Sequence, residues 1–99
     1  MRRVLWHAEA RADITSIFAY FGAKEPRVAA LLVERIETGV VALARRDTGR
    51  PGRMAKLREK SVPRTHYIIA YRIRRNDLIV LRIIHSSQDW TSAKWPKSD

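Results

Sequence analysis

The spacing of apolar residues divides the chain into a helical first half and a strand-rich second half. The short stretch Arg3–Trp6 predicts a first strand. From about residue 8 to residue 23, apolar residues recur at the i, i+3, i+4 and i+7 positions that form one face of a helix. Residues 26–45 repeat that pattern and begin with a proline, which is tolerated in the first turn of a helix but not in its interior. The pattern therefore predicts two helices joined by a short turn.

Gly39 lies inside the second helical pattern. A glycine costs about 1 kcal/mol relative to alanine in a helix interior, so we predict a weak point or an early end of the helix there. Each amphipathic helix also needs another element to cover its apolar stripe.

Strand patterns follow after a turn-rich connection over residues 47–52. Residues 54–60 predict a short strand with Lys56, Arg58 and Lys60 on one side. Residues 66–74 and 78–85 are dense in isoleucine, valine, leucine and tyrosine, which favours two further strands.

The last two predicted strands form a hairpin. Asn76 and Asp77 predict its two-residue turn, because both residue types tolerate positive φ. That turn would place Tyr71 opposite Arg82 and Ile69 opposite Ile84. Both faces of the hairpin are largely apolar, so we expect it at the centre of the sheet with the helices on one side. The predicted class is α+β, with the N-terminal strand and the helical hairpin packed on a small, mainly antiparallel sheet in one domain, residues 1–99.

Charge is concentrated in one segment. The chain carries 20 Lys and Arg against 10 Asp and Glu, a formal net charge of +10. Residues 45–75 hold eleven basic and two acidic side chains, which is +9. Such a block repels itself and attracts polyanions or an acidic protein. A solvated surface that only aids solubility is the alternative interpretation.

Several function classes lack the residues they need. The chain has no cysteine, which excludes disulfides, a thiol nucleophile and a cysteine-ligated zinc site. His7 and His66 have no carboxylate or histidine at ligand spacing, so we expect no metal and no cofactor. The longest uninterrupted apolar run, residues 28–33, is far too short to span a bilayer. We therefore expect a cytoplasmic protein that does not enter a membrane.

Four segments in order resemble ParE-type toxins of the ParE/RelE superfamily, the toxin halves of type II toxin–antitoxin systems. The resemblance implies a RelE/ParE-like fold and an acidic, ParD-like antitoxin encoded alongside, in a hetero-oligomer with the toxin. The four segments are Val4-Leu5-Trp6 with Ala8, Ala10, Asp13 and Ile14; Gly49-Arg50-Pro51-Gly52-Arg53 with Arg58-Glu59; Tyr67 to Ile73; and Ile79 to His85 followed by Trp90.

The resemblance leaves two activities open. ParE-type members inhibit DNA gyrase without cutting nucleic acid, whereas RelE-type members cleave messenger RNA on the ribosome with basic residues and a tyrosine or histidine. Our leading hypothesis is a gyrase-directed toxin that is not a catalyst. The alternatives are a ribosome-dependent endoribonuclease and a non-toxic relative that only binds its antitoxin. Whether the chain contacts nucleic acid directly stays open.

Two positions in the C-terminal motif disfavour RNA cleavage. Gln88 stands where RNase-type relatives place a catalytic arginine, and a neutral amide cannot stabilise phosphorane charge as a guanidinium does. The tail offers Trp90 and Trp95 in place of the tyrosine that those relatives use. His85 is the candidate for acid–base work if the protein is an RNase, since an unperturbed histidine has a pKa of about 6.5. Otherwise it is a strand-end histidine held by a hydrogen bond.

The remaining candidates lie on the predicted strands. Arg82 sits among apolar residues and needs a partner, and stacking on Tyr71 is one possibility. Tyr67 and Tyr71 are expected to pack in the core. Lys60 occupies a position where ParE-like sequences often have leucine. The residues that we expect to bind the target or the antitoxin are Arg53, Arg58, Arg64, Arg82, His85, Gln88 and Trp90.

Overall fold

The computed structural model of the chain describes residues 1–54 and 56–88. Two helices and five strands follow one another in an α+β order, which confirms the predicted class. They are β1 (Arg3–Trp6), α1 (Ala8–Phe21), α2 (Pro26–Arg45), β2 (Arg50–Pro51), β3 (Arg58–Ser61), β4 (Tyr67–Arg74) and β5 (Asp77–His85).

The ends of the helices have local causes. The His7 imidazole accepts a hydrogen bond from the Glu9 backbone N–H at 3.3 Å and so caps α1. The helix stops at Gly22, whose φ of 52° lies in the left-handed region that glycine adopts without a Cβ clash. Pro26 then opens α2, where its fixed φ suits the first turn. The predicted helix bounds are confirmed to within two residues.

The predicted early end of α2 at Gly39 is wrong, because the helix continues to Arg45. A Cβ at position 39 would lie 3.3 Å from the Cδ1 atom of Ile69 on β4. The glycine therefore lets the helix approach the sheet closely, and the packing outweighs its weak helix propensity.

The sheet has the order β1-β5-β4-β3-β2. β1 runs parallel to β5 and the other pairs are antiparallel, so the β4–β5 hairpin is central as predicted. The helices contribute Ile17, Val33, Ile36, Val40 and Leu43 to one main core, which they share with strand residues that include Ile69, Tyr71 and Val80. A smaller cluster of Ile68, Ala70 and Ile84 is separate from that core.

The predicted hairpin register is wrong. Arg74 pairs with Asp77, so the turn consists of Arg75 and Asn76, and Arg75 takes the positive φ of 57°. Tyr71 lies opposite Val80 rather than Arg82. Asp77 belongs to β5, where the Arg3 guanidinium of the parallel neighbour β1 binds its carboxylate at 3.0 Å.

An irregularity between Ala70 and Tyr71 shifts the register again. Beyond it, Ala70 faces Arg82 and Ile69 faces Ile83 instead of Ile84. A β-bulge of this kind leaves no pattern in the spacing of apolar residues, which is why the turn alone could not predict the pairing.

The third predicted strand is shorter than expected. Lys56 has a φ of 65°, which is incompatible with a strand, and the Gly52 N–H donates to the Leu57 carbonyl at 2.7 Å to close a loop. Pairing starts only at Arg58. The connection before this loop contains the additional short strand β2, whose Pro51 lies at the edge of the sheet, where a missing N–H is tolerated.

Within the described residues, neither helix is long and apolar enough to cross a membrane.

Candidate functional site

A cleft of about 980 Å³ opens where α1, the β3–β4 loop and the end of β5 meet. We call it the groove. Apolar side chains such as Ile17, Phe21 and Leu32 form part of its wall. Polar side chains from three separate chain segments converge on it: Ser16, Tyr20, Arg64, His66, Tyr67, His85 and Gln88.

Two histidines lie together in the groove. The ring centroids of His66 and His85 are 5.6 Å apart, and Tyr67 meets the His85 ring edge-on at 5.3 Å. The His85 Nδ1 atom accepts the Ser87 backbone N–H at 3.2 Å and lies 2.7 Å from the Ser87 hydroxyl. A ring nitrogen that accepts a hydrogen bond carries no proton, so neutral His85 holds its proton on Nε2. The predicted strand-end hydrogen bond is thus present.

Tyr67 keeps its proton in this setting. Burial raises the pKa of its hydroxyl, and the neighbouring Tyr20 raises it further. The phenol therefore stays neutral well above physiological pH and can donate a hydrogen bond, but it cannot act as a base there.

Asp13 and Arg82 form an ion pair at the base of the groove. The Arg82 Nε and Nη2 atoms donate to the two Asp13 carboxylate oxygens at 2.8 and 2.9 Å, and the Ile83 N–H donates to the same carboxylate at 2.8 Å. β1 accompanies β5 only as far as Val80, so the next β5 residues need other partners on that side. Asp13 on α1 supplies one. Its hydrogen bonds raise the pKa of Arg82 further, and the pair contributes no net charge to the groove.

Residues 46–54 form a second region, which we call the strap. The Tyr71 hydroxyl donates to the Asp47 carboxylate at 2.5 Å, and the Arg58 Nε atom donates to the same carboxylate at 3.2 Å. Arg58 Nη2 also donates to the Gly49 carbonyl at 2.5 Å. A Cβ at Gly49 would lie only 1.8 Å from the Tyr71 oxygen, so this contact requires a glycine.

The strap fixes the charge states of its members. Burial alone would raise the pKa of Asp47, but the hydrogen bonds from Tyr71 and Arg58 outweigh it and hold that pKa below its ordinary value. Burial and the hydrogen bond to Asp47 raise the pKa of Tyr71. Both shifts keep a carboxylate and a neutral phenol in contact at neutral pH.

Glu59 holds the other end of the strap. Its side chain is almost fully buried, accepts the Arg50 Nη2 atom at 2.9 Å and accepts the Arg53 backbone N–H at 3.3 Å. A buried carboxylate requires such partners. Arg50 and Arg58, two cations of the basic segment, are therefore paired with the only two acids in it.

The comparison with protein families accounts for this arrangement. The model of the ParE toxin of the type II toxin–antitoxin system parDE matches residues 4–90, nearly the whole chain. The chain belongs to the ParE toxin family.

Individual relatives of this ParE-family chain agree. It is 40% identical over 90 residues to a Sinorhizobium fredii protein named "Putative toxin Y4kP", covering 90% of this chain and 93% of that protein. A solved chain of the chromosomal ParDE toxin–antitoxin system of Pseudomonas aeruginosa superposes with a TM-score of 0.76 at 25% identity, over 86% of this chain and 96% of that one. The fold also matches a chain of the RelBE2 complex of Mycobacterium tuberculosis, with a TM-score of 0.58 at 24% identity over 85% and 90%.

The predicted site residues divide between the two regions. Arg64, Arg82, His85 and Gln88 line the groove together. Arg53 lies in the strap, and Arg58 on β3 binds it. Trp90 lies outside the described residues. Lys60 donates to the Thr48 carbonyl at 3.3 Å, so its charge reaches a polar group at this ParE-family position.

Sequence reasoning missed His66, Tyr20, Asp13 and Asp47 as members of these regions. His66 could have been found, because it precedes Tyr67, the residue that pairs with His85. Asp13 and Asp47 meet partners 69 and 24 residues away, respectively, and no local pattern indicates such contacts. No cluster of three or more potential ligands from His, Cys, Asp and Glu exists in the part of the chain that the structure describes.

Proposed function

We propose that this chain is a toxin that inhibits DNA gyrase, and so replication, and that an acidic antitoxin encoded beside it neutralises it. The observation that supports gyrase over RNA is Gln88. It lines the groove at the position where the RNase-type relatives carry a catalytic arginine. An amide cannot replace a guanidinium opposite a developing phosphorane charge, so the groove lacks the cation that those relatives use there.

The net charge of the chain supports the antitoxin part of the proposal. The basic excess of residues 45–75 remains large after its two acids are paired with Arg50 and Arg58. The solved relatives from P. aeruginosa and M. tuberculosis belong to toxin–antitoxin systems. An acidic partner in a hetero-oligomer would satisfy the remaining cations. The gyrase and the ribosome both place the protein in the cytoplasm.

The test is pulse labelling of DNA and protein synthesis in a bacterial host during the first minutes after induction of this gene alone. We expect DNA synthesis to fall first while translation continues, and purified protein to inhibit gyrase supercoiling. Co-expression of the protein encoded by the adjacent gene should restore growth. An early fall in translation would contradict the proposal, and no effect on either process would indicate a non-toxic relative.

The His66–His85 pair favours one second candidate, a ribosome-dependent endoribonuclease. Cleavage of RNA requires a base for the 2′-hydroxyl, an acid for the 5′-oxygen and a cation for the phosphorane. The groove contains two histidines 5.6 Å apart and the cation Arg64. One neutral histidine would take the 2′-hydroxyl proton as the 2′-oxygen bonds to phosphorus. The other, protonated, would give its proton to the 5′-oxygen as the P–O5′ bond breaks.

One pair of variants separates the two candidates. His66→Gln together with His85→Gln should leave growth inhibition and gyrase inhibition within about twofold of the wild type, because no step of the gyrase proposal requires a titrating group. Mapping of message ends after induction should reveal no discrete cleavage sites. Discrete cuts that disappear in the double variant would replace the gyrase proposal with the ribonuclease.

A further inference from the structure

A second cavity lies next to the groove. It has a volume of about 460 Å³ and lies between α2 and β3, with Leu31, Gly39, Ala42 and Leu43 among its lining residues. Arg64 lines both cavities. A single ligand that occupies both must therefore be extended and must pass over Arg64.

Arg64 is held in an unusual backbone conformation. Its φ of 60° lies in the left-handed region that residues with a Cβ seldom adopt. The surrounding loop is tied down, because the Thr65 hydroxyl donates to the Val62 carbonyl at 2.9 Å and accepts the Tyr67 N–H at 3.0 Å. Arg35 on α2 also donates to the Arg64 carbonyl at 3.0 Å.

The guanidinium of Arg64 has no such restraint. The residue is exposed and its side chain makes no hydrogen bond or ion pair with the residues that the structure describes. A strained backbone that is fixed by its neighbours and that presents an unpaired cation at the junction of two cavities indicates a binding role. The loop places the cation in advance, which lowers the ordering cost of binding.

The charge around the two cavities selects an acidic ligand. Arg35, Lys60, Arg64 and Arg82 line them, against Asp13 and Glu34, and Asp13 is already paired with Arg82. The walls between these charges are apolar. A ligand that fits both features alternates acidic with apolar residues along an extended chain.

The second cavity favours a peptide over a nucleic acid. Its described lining contains no aromatic ring on which a base could stack, and Glu34 at its wall repels phosphate. Leu31, Ala42 and Leu43 instead offer an aliphatic surface suited to a leucine, isoleucine or valine side chain.

We propose that an extended acidic segment of the protein partner lies across the two cavities, with a carboxylate of the partner on the Arg64 guanidinium and an aliphatic side chain in the second cavity. This inference rests on the proposed function for the existence of the partner. It adds the surface, the anchor residue and the sequence character of the bound segment.

The experiment uses fluorescein-labelled 15-residue peptides that tile the protein encoded by the adjacent gene, with fluorescence anisotropy as the readout on the full-length chain. We expect binding to be confined to peptides that contain both acidic and aliphatic residues. Arg64→Glu should weaken the tightest of them at least tenfold. The matched control is Arg75→Glu, because Arg75 is also an exposed arginine at positive φ, but it lies in the β4–β5 turn outside the lining of both cavities. That variant should stay within twofold of the wild type.

Two further measurements cover misfolding and the nucleic-acid alternative. Arg64→Gly removes the cation while glycine adopts the left-handed backbone freely, so it should stay folded and still lose at least fivefold in affinity. Dodecauridylate labelled in the same way should not compete with the peptide. Peptide binding that ignores both Arg64 variants, or displacement of the peptide by dodecauridylate, overturns the inference. Growth inhibition is measured separately, so a chain that binds the peptide but does not slow growth sinks only the toxin proposal.

Discussion

The strap and the groove use basic residues of the same sequence segment in opposite ways. In the strap, the cation Arg50 and its neighbour Arg58 are bound to the acids Glu59 and Asp47, and their charge is neutralised inside the protein. In the groove, Arg64 is exposed and its side chain has no partner among the described residues. The formal charge of a segment therefore does not measure its interaction surface. What decides is whether a buried acid lies within reach of each cation.

The comparison predicts that paired charges support stability, whereas unpaired charges support binding. The most severe test concerns the ion pair beneath the groove. Arg82→Met would leave the Asp13 carboxylate in a largely buried place with only the Ile83 N–H as a remaining donor. We expect the free energy of unfolding to fall by about 3 kcal/mol, the cost of stranding one partner of a buried pair. Urea titration followed by circular dichroism measures it. A companion Asp13→Asn, Arg82→Met double variant should recover part of the loss.

The next largest effect should come from Gly49. An alanine there would place its Cβ 1.8 Å from the Tyr71 hydroxyl oxygen and 2.9 Å from the Glu59 carbonyl, so the strap must move. We expect a loss of about 2 kcal/mol in the same titration. Gly39→Ala is the matched control, because its Cβ would meet only the flexible end of Ile69 and alanine favours the helix. Equal losses in the two variants would contradict the role given to the strap.

Removing one arginine from each region compares them directly. Arg58→Met leaves Asp47 without its cation and the Gly49 carbonyl without its donor, so unfolding should become easier by about 1.5 kcal/mol. Arg64→Met should change the stability by less than about 0.5 kcal/mol, as expected of an exposed site. A larger loss for Arg64 than for Arg58 would reverse the comparison.

The smallest predicted effects depend on pH. The pKa of Asp47 is lowered in the folded state, so its stabilisation is complete above the ordinary value of 3.8 and is lost as the pH falls through the lowered value. The pKa of Tyr71 is raised, so its contribution is complete below the ordinary value of 10.0 and is lost as the pH rises through the raised value. Tyr71→Phe should remove the alkaline loss, at a cost of about 1 kcal/mol at pH 7. Asp47→Asn should remove this acid-side loss. Unfolding titrations from pH 3 to pH 11 that show an unchanged alkaline loss in Tyr71→Phe would refute the assignment.

The helices were predictable because their signals are local. The proline at position 26 and the glycine at position 22 mark the helix boundaries directly. The hairpin register was not predictable, because Asn76 and Asp77 are the better turn formers, yet Arg75 takes the positive φ. Asp77 is drawn into β5 by Arg3 from the other end of the chain, and that contact has no local signature.

The site divides along the same line. That Arg82 needs a partner followed from its apolar neighbours, but its identity did not. The partner, Asp13, lies on a helix 69 residues earlier in the chain. The grouping of Arg64, His85 and Gln88 depends on where β4 begins and β5 ends in space, which the spacing of residues does not determine.

The pairing of β1 with β5 has a consequence for synthesis. The first strand of the chain pairs with the last strand of the sheet, and Arg3 meets Asp77 across that pair. The helices, made early, have no sheet to cover their apolar stripes until residues 77–85 have been synthesised. A contact over so long a loop also forms late in folding. A nascent chain therefore spends most of its translation without a completed groove, and a harmful activity based on that groove begins only once the protein is nearly complete.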